Sequence, residues 1–106
     1  MLKLMFFLYR RSDLSPEAFR RYSQEVHMPL VANVPGLKRY VVNHTVQNPS
    51  GANSTCDAVA ELWFEDLEAF QSAVATPEGG AALADQPNYL DMDRTHMLIM
   101  EGIVVL

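Results

Sequence analysis

Cysteine occurs once in this sequence of 106 residues, at Cys56, so no disulfide can close within the chain. It sits in a polar stretch, Ala52-Asn53-Ser54-Thr55-Cys56-Asp57, with no His or Cys at ligand spacing, and reads as a loop thiol rather than a nucleophile or metal ligand. Basic residues are also scarce: 8 Lys and Arg stand against 13 Asp and Glu, for a net charge of −5. Without a long basic run, such a surface repels phosphate backbones and anionic headgroups, which argues against nucleic-acid or membrane partners. Apolar runs of bilayer length are missing. The stretch from Met1 to Tyr9 ends at Arg10-Arg11, well short of the ~20 residues that a spanning helix needs. A secretory leader carries its basic residues before the apolar run, not after it, so the sequence predicts a cytoplasmic protein. No repeat or low-complexity tract is evident.

What the sequence does hold is a globular composition, 49% hydrophobic and 20% charged. Its length allows a single domain over residues 1–106 with one core. Residues 2–10 are rich in Leu and Phe and suit a strand by length. Ser15-Pro16-Glu17 is a helix start: a capping hydroxyl, a proline fitted to the first turn, and an acid at the positive end of the dipole. Leu14 and Phe19 stand at the positions of a hydrophobic staple, and the stripe continues through Tyr22 and Val26. Pro29 predicts that this helix ends or kinks near His27, and Val34-Pro35-Gly36 predicts a turn.

Residues 37–46 predict a second strand, Gln47 to Cys56 a polar loop with Pro49 and Gly51, and Asp57 to Phe64 a third strand. Asp66 caps a second helix that turns Leu67, Phe70 and Val74 inward. Thr76-Pro77-Glu78 repeats the cap-plus-proline signal and predicts a further helical turn or two after Gly79-Gly80. Residues 95–105 predict the last strand. Strand, helix, strand, strand, helix, strand, with helices joining parallel neighbours around a central pair, gives an α+β fold: a ferredoxin-like βαββαβ sandwich with both helices on one sheet face.

The other sheet face should then alternate with polar residues. It does not: Met5, Phe7 and Tyr9, with Met97, Ile99, Ile103 and Val105, leave both faces of the first and last strands apolar. An uncovered patch of this kind marks an interaction surface. A two-fold partner closing on it predicts a homodimer, a dimeric α/β barrel around a small apolar cavity.

Several side chains are candidates for chemistry inside that barrel. His27 falls in the last predicted turn of the first helix, where the negative helix end favours imidazolium; it is either a proton donor or a cap on the helix carbonyls. Tyr40 and His44 share one side of the second strand with Val42, and a phenol beside an imidazole can hold an oxygen and shuttle a proton. The plain alternative is a cross-strand pair on a half-exposed face. Glu61 and Trp63 share a face of the third strand opposite Ala58, Ala60 and Leu62, which places them inside the barrel; Glu61 is there an acid, a base, or half of an ion pair with Arg39 or another cation. His96 reads as an exposed strand end. The three histidines lack the spacing of a metal motif, so no metal is expected.

The runs Leu14-Ser15-Pro16-Glu17-Ala18-Phe19, His27-Met28-Pro29-Leu30, Pro35-Gly36-Leu37-Lys38-Arg39-Tyr40 and Glu61-Leu62-Trp63-Phe64 resemble the EthD family, small dimeric α/β-barrel proteins named for a protein encoded with an ether-degradation system. The resemblance covers nearly the whole chain. It implies that the family's helix-end histidine is His27, its tyrosine after the Pro-Gly-Leu turn Tyr40, and its third-strand tryptophan Trp63. The family includes fungal dehydratase-like proteins and is similar to methylmuconolactone methylisomerase. That isomerase has a cysteine just before the tryptophan, where this chain has Leu62, a departure that argues against lactone isomerisation.

The expected function is acid–base chemistry without metal or organic cofactor, a dehydration, isomerisation or cyclisation of a hydrophobic oxygenated metabolite. His27, Tyr40 and Glu61 are the catalytic candidates, and Phe7, Tyr9, Val42, His44 and Trp63 the substrate contacts. The alternative is a non-catalytic carrier for such a metabolite.

Overall fold

A computed structural model of the chain describes residues 1–46 and 56–106. The elements run β1 (Leu2–Leu8), α1 (Pro16–Tyr22), a π-helical turn (Ser23–His27), α2 (Met28–Ala32), β2 (Arg39–His44), β3 (Ala58–Phe64), α3 (Leu67–Val74), α4 (Pro77–Asp85), a 3₁₀ turn (Gln86–Asn88) and β4 (His96–Glu101). Four strands make one sheet in the order β2-β3-β1-β4, and every adjacent pair is antiparallel. This is the expected α+β, ferredoxin-like arrangement, with one refinement. The strands joined through helices are parallel but not neighbours; β3 lies between β1 and β2, and β1 between β3 and β4. The polar loop expected from Gln47 lies, as far as Thr55, outside the described residues. Among the described residues no helix is long and apolar enough to cross a membrane.

The helix starts form as their residues dictate. The Ser15 hydroxyl accepts from the Ala18 N–H, Asp66 from the Ala69 N–H, and Thr76 from the Gly79 N–H, each satisfying a donor of the first turn. Of the two outcomes expected at Pro29, an end or a kink near His27, the helix does not end; it is interrupted there. Proline lacks the N–H that an α-helix would bond four residues back, and the preceding turn is wound as a π-turn, with the Met28 N–H bonded to the Ser23 carbonyl. The wider turn lets the helix carry on to Ala32. The glycine pair likewise lies inside α4 instead of before it. A side chain on Gly79 would stand 2.1 Å from the Ala73 carbonyl oxygen, so its absence lets α4 start hard against the end of α3. At Gly36, φ is +82° and the Leu37 N–H bonds the Val34 carbonyl, so the turn expected at Val34-Pro35-Gly36 is of type II.

The core lies between the sheet and the helices. Ala58, Ala60, Leu62 and Phe64 alternate inward along β3, Leu4 and Leu8 along β1, and they meet Phe19, Val31, Ala73, Ala82, Tyr89 and Leu90. Burying a side chain the size of Phe or Leu contributes about 1.5–3 kcal/mol, so this layer is the main source of stability.

Register decides what faces the opposite side. Met5 pairs with Glu61 and Lys3 with Trp63, so Glu61 and Trp63 do point away from the helices. On β4 the residues opposite Met5 and Lys3 are Leu98 and Met100, whereas Met97 and Ile99 pair with Phe6 and Leu4 on the helix side. The assignment of Met97 and Ile99 to the uncovered face is therefore corrected to Leu98 and Met100. A one-residue shift of strand phase changes the face of every side chain.

Candidate functional site

A partly open cavity of about 60 Å³ lies between sheet and helices, with His27, Tyr40 and Tyr89 among mainly aliphatic and aromatic walls. That is room for ordered water or a small apolar group, and the cavity is partly open to solvent. Leu83, 45% exposed, lines the cavity from α4, beside Gln86. Tyr40 and Val42 line a second, open groove along Gln24, Met28, Pro29 and Ala32, and so form the wall between groove and cavity.

His27 comes to this place through the π-turn, which ends on it and buries it together with Ser23. Its Nδ1 lies 2.9 Å from Oδ2 of Asp85, the last residue of α4. Asp85 is itself held by Tyr22, whose hydroxyl donates to Oδ1 at 2.5 Å, and by Asn88 Nδ2 at 3.0 Å. Burial pushes the Asp85 carboxyl up, but the donors Tyr22, Asn88 and His27 outweigh it and hold it below the usual carboxylate range. For His27 burial is the larger effect and lowers the imidazole below its ordinary value, against the pull of Asp85. The pair is then a neutral imidazole donating Nδ1–H to a carboxylate, which leaves Nε2 as the basic nitrogen. This replaces the expected imidazolium at a helix end: the helix does not end at His27, and Asp85 rather than a row of carbonyls is its partner.

Two phenols complete the polar lining. Tyr89 is fully buried, with its ring 4.8 Å from that of His27, 5.2 Å from Tyr22 and 5.5 Å from Phe19. Burial pushes its hydroxyl far above the ordinary value, with Tyr40 and Asp85 adding to the effect. Burial alone pushes Tyr40 up to about 12. Both remain neutral near pH 7, so each keeps its hydroxyl proton.

The sheet divides the residues expected to act together. Tyr40, Val42 and His44 pair with Leu62, Ala60 and Ala58, the inward residues of β3, so they face the helices. Glu61 and Trp63 face the other way, as do Phe7 and His96. The expectation of one cavity between two sheets, holding His27, Tyr40, Glu61 and Trp63 together, is corrected: strand alternation puts the first two behind the sheet and the last two in front. His27, Tyr40 and Val42 line the cavity; Glu61, Trp63, Phe7, Tyr9 and His44 do not. On the outer face Glu61 pairs with Lys3 at 3.4 Å rather than with Arg39, and accepts from Asn43 Nδ2 at 2.9 Å. Lys3 and Arg39 stand over the Trp63 ring at 5.3 and 5.0 Å. His96 stacks on Phe7 at 5.0 Å, and Arg94 covers Tyr9 at 4.3 Å. His44 has both ring nitrogens buried without a hydrogen-bond partner among the described residues, and its ring meets Phe19 edge-on at 6.2 Å.

Sequence reading missed Asp85 and Tyr89 and placed Tyr22 only in a core stripe. The signal was there: with the last helix continued through its glycines, Ala82, Asp85 and Tyr89 recur at i, i+3 and i+7, an apolar stripe with a carboxylate in it. Among the described residues no group of three or more His, Cys, Asp or Glu is placed to hold a metal.

An EthD domain profile matches residues 11–93. An uncharacterised 11.0 kDa protein of Rhodococcus erythropolis, encoded between thcB and thcC, is 34% identical over 90 residues, 85% of this chain and 86% of that one. A 4-carboxymethyl-4-methylbutenolide mutase of Pseudomonas reinekei is 30% identical over 77 residues, 67% of this chain and 71% of the mutase. Among solved structures, an ethyl tert-butyl ether degradation (EthD) family protein of Bacillus halodurans superposes with a TM-score of 0.83 at 29% identity, over 97% of this chain and 99% of that one.

Proposed function

The chain belongs to the EthD family, and from that premise we propose that it is a small enzyme working without metal or organic cofactor, by acid–base chemistry on a hydrophobic oxygenated metabolite. The observation that carries the reading is the 2.9 Å contact between His27, which lines a mainly apolar cavity, and Asp85. Such a carboxylate fixes the tautomer and stabilises the imidazolium that forms when Nε2 takes a proton. Tyr40 and Tyr89 then donate to the substrate oxygen on which charge develops, a role that suits phenols kept neutral by burial. Dehydration, isomerisation and cyclisation all need a proton removed beside a polarised oxygen. One relative is named a mutase, that is, an enzyme of isomerisation. Glu61 and Trp63, lying in front of the sheet, belong in this reading to the contact with a second copy of the chain, a homodimer closed over Met5, Phe7, Leu98 and Met100.

The enzyme reading is tested by hydrogen–deuterium exchange at the methyl group of acetophenone in D₂O, followed by proton NMR. The parent protein should accelerate exchange over buffer, and His27→Gln should lower that acceleration by roughly 10²–10⁴, the usual worth of a general base. Exchange no faster than buffer, with acetophenone bound, favours the second reading, a carrier. The observation on that side is the lining itself, which apart from a few polar groups is Phe, Leu, Val and Ala.

A further inference from the structure

The cations of this chain can be accounted for completely. The sequence has 8 Lys and Arg, all within the described residues. Lys3 and Arg39 stand over Trp63 on the outer sheet face. Arg10 bonds the Leu14 carbonyl and pairs with Asp57 at 3.3 Å; Arg11 pairs with Asp13 and bonds the Asn88 carbonyl. Arg20 bonds the Thr45 carbonyl, Arg94 covers Tyr9, and Arg21 and Lys38 are exposed. None of the eight lines the cavity.

Among the described residues that line the cavity, only His27 can carry charge near neutral pH, and it is paired with Asp85. If His27 takes a proton, Asp85 at 2.9 Å already offsets that charge; if it does not, Asp85 repels an anion. What remains among the described residues are neutral groups: the phenols of Tyr40 and Tyr89, the Ser23 hydroxyl, and the Gln86 amide at the rim. A carboxylate moved from water into such walls loses its hydration and gains no cation, at a cost far above that of a carbonyl.

Resting on the reading of this cavity as the ligand site, we infer that it takes a neutral ligand with a carbonyl or phenolic oxygen and rejects carboxylates. The discrimination comes from where the basic residues are spent, not from the size of the cavity. A carboxymethylated lactone is accordingly outside its range, whatever the likeness to a mutase named for one.

Acetophenone and benzoate test this directly, since they differ in little but a methyl group against a charged oxygen. By titration calorimetry at pH 7.5, acetophenone should bind the parent protein at least about tenfold more tightly than benzoate, a difference of about 1.4 kcal/mol. Leu83→Arg puts a cation at the exposed rim and should narrow that ratio by about tenfold. Benzoate binding as tightly as acetophenone would overturn the inference, as would failure of both to bind, and so would a ratio unchanged in Leu83→Arg, which would place the discrimination outside this cavity. The acid–base reading fails separately: acetophenone preferred over benzoate, but with no His27-dependent exchange of its methyl protons, leaves the charge rule standing and removes the enzyme.

Discussion

Nδ1 of His27 and Oδ2 of Asp85 lie 2.9 Å apart although 58 residues separate them in the chain. The contact joins the π-turn to the end of α4. It therefore couples the two departures from regular expectation in this fold, a helix that passes through Pro29 and a helix that contains Gly79-Gly80. Each places one member of the pair.

Asp85→Asn separates orientation from charge. The amide oxygen can still accept from Nδ1–H, but the negative charge that favours the imidazolium is gone. The His27 pKa, read by NMR titration, should fall below its value in the parent protein, and proton exchange into acetophenone should slow by at least about tenfold. An unchanged His27 titration would mean that Asp85 does not govern the imidazole.

The same pair sets a pH dependence of stability. The folded protein holds His27 below the ordinary 6.5, so the unfolded chain takes up the proton first as pH falls. The unfolded state thus binds more protons, and stability rises with pH. The contribution is fully present above about pH 6.5 and is lost as pH falls through the folded pKa. His44 is lowered too, by burial first and then by Arg20, and adds in the same direction. Asp85, lowered from 3.8, acts in the same sense only at much lower pH. Melting temperature should drop between pH 7.5 and 5.5, and His27→Gln should flatten that drop. A slope equal to that of the parent would remove the buried neutral histidine.

How much of this was legible depended on the range of the physics. Caps and turns are local, and Ser15, Asp66, Thr76 and Gly36 behave as their neighbours dictate. The face of β3 was legible because Ala58, Ala60 and Leu62 alternate cleanly with Glu61 and Trp63. The face of β4 was not, since His96-Met97-Leu98-Ile99-Met100 offers no polar phase, and only pairing with β1 fixes it. Tyr40 and Glu61 both read as inward because each is a polar or amphipathic residue in an apolar strand; the sheet that separates them is a property of register. Asp85 was hidden by its glycine-bearing helix, whose propensity is poor and whose existence rests on Gly79 fitting against Ala73.

His44 presents a different kind of test. Its ring nitrogens are buried without partners among the described residues, and it does not line the cavity. An unsatisfied buried polar group costs roughly 1–3 kcal/mol, and the half-buried setting here calls for the low end. His44→Leu should raise stability by about 0.5–1 kcal/mol, or a few degrees in Tm, and leave acetophenone binding alone. A loss of binding would return His44 to the site.

The outer sheet face keeps an apolar patch of its own. Leu98 and Met100 are 48% and 40% exposed there, beside Met5 and Phe7, with the Lys3–Glu61 pair in their midst. Ile99, on the same strand and also 48% exposed, points to the helix side. If the outer face meets a second copy, Leu98→Glu buries a charge between two apolar surfaces and Ile99→Glu does not. The cost of burying an unpaired carboxylate is several kcal/mol per site and is met at both symmetry-related positions. Sedimentation at micromolar concentration should show a dimer for the parent and for Ile99→Glu, and a monomer for Leu98→Glu. The monomer should keep most of its helical circular dichroism, since Leu98 contributes little to the core. A parent that sediments as a monomer, or two variants that behave alike, would show that the pairing surface is not this face of the sheet.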